Sequence, residues 1–218
     1  MEAEARTARR GLWVDHMDEE ERQEKHQRQT NELYCAIGKF AVKFEQVCHN
    51  MQNGIVVILL RNGLKNERLG DALLSGVTAD PLRKAFGALI KEALKDHADA
   101  TDAMIVDYIL KRVQELTETR NDVIHRTWFI GWASPSDTDF SLASGSKIKH
   151  GKKGVDFSLR EYKVEDFDKF SAQADEISGL VNRLYVAVAT GISLSKNFAI
   201  DSNGRVTIIG SAQGRIRI

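Results

Sequence analysis

The chain has 218 residues, with 31 basic and 31 acidic side chains cancelling to a formal net charge of zero, and 42% of its residues are hydrophobic. That length fits one large or decorated domain burying about 70% of its unfolded surface, and the charge balance excludes a broad basic field, so nucleic acid would have to be held by local patches. Two cysteines, Cys35 and Cys48, are too few for a disulfide framework or a zinc site, no apolar run reaches membrane-span length, and the N-terminus is charged, which reads as a soluble cytoplasmic protein.

Residues 1–30 read as a charged N-terminal arm, with Arg6, Arg9 and Arg10 ahead of the acidic run Asp18-Glu19-Glu20-Glu21. Such density of charge predicts a frayed or solvated helical arm, although Trp13 offers a residue that could pin it to a partner subunit. From Leu33 the pattern becomes regular. Leu33, Ala36, Ile37, Phe40, Phe44, Val47, Cys48 and Met51 recur at helical spacing and predict the first bundle helix, which Ile55 to Leu60 extend and Asn62-Gly63 stops. Cys35 and Cys48 lie on or beside that stripe and read as structural.

A short helix over Glu67–Leu74 ends at Ser75-Gly76. Asp80-Pro81 then opens another, with Asp80 as N-cap, Pro81 at the first helical position, and Leu82, Phe86, Leu89 and Ala93 on the buried face. Asp99 to Asp102, with Thr101 in a capping position, leads into a long helix whose apolar sector is Ile105, Ile109, Leu116 and Val123. The short connection between these two helices makes them antiparallel neighbours. The second is expected to end within Thr127–Ala133, an aromatic and β-branched stretch followed by Pro135.

Alternating apolar residues around Gly145, Gly151 and Gly154 predict a small β-insertion over about residues 134–162. Lys147, Lys149, Lys152 and Lys153 crowd its tip together with His150. Two accounts of these lysines stay open: a solvated charged turn that discourages edge pairing, or a contact set for an RNA backbone beside the preceding helix. Phe167, Phe170, Ala174, Ile177, Val181, Leu184 and Val188 follow an unbroken helical seam, better read as bundle core than as a partner surface, and Gly191 ends it. The helical domain then spans residues 31–196. Residues 197–218 form a hairpin around Asn203-Gly204 and a tail made basic by Arg205, Arg215 and Arg217.

The chemistry is concentrated in Arg120-Asn121-Asp122-Val123-Ile124-His125, late in the long helix. An arginine that cannot lose its proton, a histidine that can, and an amide between them supply an anion clamp, a proton shuttle and an orienting group. On an ideal helix Arg120 and His125 project about 140° apart with Asn121 between them, and neither falls on the helix's own apolar sector. Gln114, Thr117, Glu118, Asn121 and His125 share a polar strip, so the histidine faces either solvent or something docked there. The six histidines include no His-x3-His pair on a helix, and no Gly-rich phosphate loop, paired-cysteine site or nucleophile elbow occurs. No metal or cofactor is therefore expected.

Arg120, Asn121 and His125 match in type and spacing the mark of the HEPN family, an Arg-x4-His motif with a polar residue directly after the arginine, and the chain resembles that family over roughly residues 31–190. The resemblance implies a mainly α, HEPN-like helical bundle, here with the β-insertion and C-terminal β-hairpin. It also implies a metal-independent endoribonuclease of a toxin–antitoxin, abortive-infection or phage-defence system. The catalytic residues would be Arg120, Asn121 and His125, the substrate RNA, the protein a homodimer, and an antitoxin or defence-system protein a further partner. Some members carry a tyrosine two residues after the histidine, a target of nucleotidyl transfer. Thr127 stands there in this chain, so that form of regulation is not supported. The rival reading is a non-catalytic helical interaction module in which Arg120 pairs with Glu118 or Asp122 and His125 decorates the surface. What separates the two is whether Arg120 and His125 converge on an open groove or are consumed by local ion pairs.

Overall fold

A computed structural model describes residues 18–96, 99–134, 137–151 and 154–210, with the backbone alone for 149–151. The first helix, α1 (Glu19–Arg61), starts well before the apolar periodicity does. Asp18 caps it by accepting from the Glu21 amide at 2.8 Å, and Glu19, Glu20 and Glu21 complement the helix dipole. Its early turns bury little apolar area, which is why the pattern does not reveal them. Polar contacts hold them instead: Arg22 donates to the Ser134 and Asp137 carbonyls at 3.0 and 3.1 Å, and His26 Nε2 meets the Gly131 carbonyl at 2.8 Å. Residues 18–30 are thus tied to the body of the protein rather than being a solvated arm. Residues 1–17, Trp13 among them, lie outside the described residues, as do Arg215 and Arg217 of the tail.

After α2 (Glu67–Leu74), α3 (Ala79–Leu94) begins two positions earlier than Asp80-Pro81 implies, with Thr78 as N-cap. Pro81 is tolerated throughout a first turn, and the Asp80 carboxylate takes Arg83 at 2.8 Å and Lys84 at 2.7 Å instead of a backbone amide. α4 (Ala100–Ile124) is capped by Asp99, not Thr101, in a reciprocal box with Asp102. It ends sooner than expected, with His125 as C-cap. The Trp128 indole donates to the Val123 carbonyl at 2.8 Å, and β1 (Thr127–Phe129) already pairs with β2 (Ala143–Gly151) through Thr127 opposite Ser146.

The β-insertion is a three-stranded antiparallel sheet, β1-β2-β3, with β3 at Gly154–Tyr162. α5 (Val164–Thr190) follows, closed by Gly191 in the left-handed conformation, and β4 (Phe198–Ile200) and β5 (Val206–Ile208) form the C-terminal hairpin. The chain is mainly helical. α1 and α5 run parallel, since Lys39 meets Asp168, Lys43 meets Asp175, and Asn50 meets Ser178 in ascending order. α3 and α4 are antiparallel, as Lys91 pairs with Asp107 while Gly87 abuts Leu110. Phe40, Phe44, Phe86 and Phe167 fill the core, and the α5 seam belongs to it: Ala174, Ile177, Val181 and Leu184 are all buried. Among the described residues no helix is long and apolar enough to cross a membrane.

Candidate functional site

Glu45, Cys48, His49 and Gln52 recur at spacings of three and four along α1 and form a stripe beside buried Phe44. Across from it stand Thr117, Arg120 and Asn121 of α4 and, at its C-cap, His125. The first turn of α3, with Val77, Thr78, Ala79 and Asp80, makes the third wall of a groove of about 710 Å³. Arg120, Asn121 and His125 therefore line one cavity despite the angular separation of the arginine and histidine. Asn121 and His125 are four residues apart and share a stripe, and the long arginine reaches round from beside them.

Arg120 does not stand clear of apolar surface: its guanidinium lies over the Phe44 ring, 5.4 Å from the centroid. Its Nη1 donates to Asn121 Oδ1 at 3.3 Å and its Nη2 sits 3.5 Å from Glu45 Oε1. Neither sequence neighbour competes for it. Glu118 accepts from Gln114, and Asp122 is taken by Arg126. The Glu45 side chain is 63% exposed, and such a pair stabilises by about 0.2–1 kcal/mol.

His125 is exposed and lines the groove. His49 is also exposed, with Asn53 Nδ2 at 3.0 Å from its Nε2. Burial pushes the Cys48 thiol up to about 12, with Glu45 adding to the rise and Arg120 opposing it, so Cys48 stays protonated and is no nucleophile. Hydrogen bonds from Lys84 and then Arg83 hold Asp80 below the ordinary carboxylate range. Both carboxylates bordering the groove thus already have cationic partners.

Lys147 is not at the hairpin tip. Its ammonium lies 3.4 Å from the Asn121 carbonyl and 3.8 Å from Asp122, behind the motif turn. For Lys149 only the backbone is described, and Lys152 and Lys153 lie outside the described residues. Two residues escaped the sequence reading. Arg126, 7% exposed, bonds Asp122 bidentately and reaches the Gly145 and Ser158 carbonyls across the sheet. No His-x3-His pair marks His49 in the sequence. Its signal was the polar spacing Glu45, His49, Gln52 flanking an aromatic stripe, but its meeting with α4 is a tertiary fact. Among the described residues no group of three or more His, Cys, Asp or Glu side chains could hold a metal ion. No protein-family model, no curated protein and no solved structure matches the chain.

Proposed function

We propose that the chain is a metal-independent endoribonuclease of HEPN type, acting in a toxin–antitoxin, abortive-infection or phage-defence setting. Arg120 binds the scissile phosphate and the charge that develops on it, and Asn121 orients the guanidinium. His125 takes the proton from the ribose 2′-hydroxyl. The observation that carries this reading is the convergence of Arg120, Asn121 and His125 on one open groove, where among the described residues the acidic partner of the arginine is the exposed carboxylate of Glu45. RNA supplies its own nucleophile, so the reaction draws on no cofactor.

The test is cleavage of RNA in EDTA by purified variants. His125→Ala is expected to abolish cleavage while shifting stability by about 0.5 kcal/mol or less, since the side chain is exposed. Arg120→Ala also uncovers Phe44, so Arg120→Lys is the cleaner probe: it keeps the charge, loses the two-point grip on phosphate, and should be markedly less active. Glu45→Gln, which frees the guanidinium, should bind RNA more tightly than wild type. Full activity in His125→Ala would remove the proposal.

A second reading, a helical interaction module, is favoured by the outer face of the β-insertion. Ile148 stands opposite Phe157, with Val155 and Leu159 on the same face, and all four are more than half exposed. On that reading Phe157→Ser abolishes partner binding while the Arg120 and His125 variants are without effect.

A further inference from the structure

We propose that His49 is the general acid of the same reaction, completing within one chain the acid–base pair that His125 alone leaves unfinished. This rests on the ribonuclease reading. Cleavage through the 2′-hydroxyl moves two protons: O2′ loses one as it forms its bond to phosphorus, and O5′ gains one as the P–O5′ bond breaks, giving a 2′,3′-cyclic phosphate and a 5′-hydroxyl. One histidine cannot both accept the first and donate the second in a single concerted passage. His49 projects from α1 into the groove that His125 borders from the end of α4, with Arg120 also on the wall formed by α4. A phosphate held by the guanidinium then has a proton acceptor and a proton donor available from two different helices.

The surroundings of His49 suit a donor. Asn53 holds its Nε2 at 3.0 Å, and an amide can offer nitrogen to the neutral ring or, turned over, oxygen to the protonated one. Only the protonated ring can act as the acid: its Nε2–H is then accepted by the amide oxygen, and its Nδ1–H passes to the leaving oxygen, which leaves the neutral Nε2–H ring. Glu45 precedes His49 by one helical turn, and Asp80 borders the same groove.

The experiment compares ordinary RNA with RNA carrying a 5′-bridging sulfur at the cleavage position, whose thiolate leaves without being protonated. With ordinary RNA, His49→Gln is expected to be about 10²–10⁴-fold slower than wild type, the usual contribution of a positioned acid. With the bridging-sulfur substrate it should recover most of that loss, whereas His125→Ala stays impaired on both. His49→Gln that cleaves ordinary RNA at the wild-type rate, or is slowed equally on both substrates, would overturn the assignment and leave the ribonuclease reading standing. Wild-type protein inert on both would overturn the two together.

Discussion

Asp122 and Arg126 stand one helical turn apart behind the groove, joined by contacts of 2.8 and 2.9 Å, and they tie the motif turn to the sheet. The arginine side chain is 2% exposed, and its remaining donors reach the Gly145 and Ser158 carbonyls, so every element around the end of α4 meets at this pair. Burial alone would raise the Asp122 carboxyl. The hydrogen bonds and charge of Arg126, with Arg160 and Lys147 beside it, outweigh burial and hold the carboxyl below the ordinary range. A depressed carboxyl stabilises the fold above its unfolded value, about 3.9, and that contribution is lost as pH falls through the folded value. Urea melts should therefore show wild-type stability falling below about pH 4. Arg126→Met, which strands a partly buried carboxylate, should cost about 3 kcal/mol at pH 7. A variant as stable as wild type at pH 7 would show that the pair does not hold the sheet to α4. The sequence displayed Asp122 as a candidate partner for Arg120. That Arg126 takes it follows from the i,i+4 spacing of the pair.

Helix crossings set the groove, and Gly54 marks a close one formed by α1. A β-carbon there would lie 2.7 Å from the Phe86 ring and 2.9 Å from the β-carbon of Tyr185, so α1, α3 and α5 approach only because the side chain is absent. Gly38, on the same helix, has open space around it. Gly38→Ala should stabilise by about 0.5–1 kcal/mol through helix propensity, while Gly54→Ala should destabilise by about 1–3 kcal/mol through overpacking. Thermal melts that ranked the two the other way would contradict this packing. The helices themselves were legible wherever an apolar face recurs, as along Leu33 to Met51 and Phe167 to Val188, because burial imposes that spacing. Their ends were less so. Asp80 and Thr101 carry capping chemistry, yet Thr78 and Asp99 occupy the caps, since any of several polar residues in a first turn can be satisfied by side-chain partners instead. The early turns of α1 were invisible to periodicity because Arg22, His26 and Gln29 hold them by hydrogen bonds.

The polar strip of α4 needs something to face. The first turn of α3 and the α1 stripe of the same chain provide that wall. The pairing of Arg120 with His125 was readable from six residues, whereas His49 and Thr78 reach the same groove from distant parts of the chain and only folding brings them there. A net charge of zero gives the molecule no broad basic field. The central claim is that the groove cuts RNA through the ribose 2′-hydroxyl. Its most direct test is mass spectrometry of the products formed in EDTA from an oligoribonucleotide and from the same strand bearing 2′-O-methyl at the cleavage position. The expected result is a 2′,3′-cyclic phosphate from the first and no cleavage of the second at that position; equal cleavage of both strands, or products ending in 5′-phosphate, would contradict it.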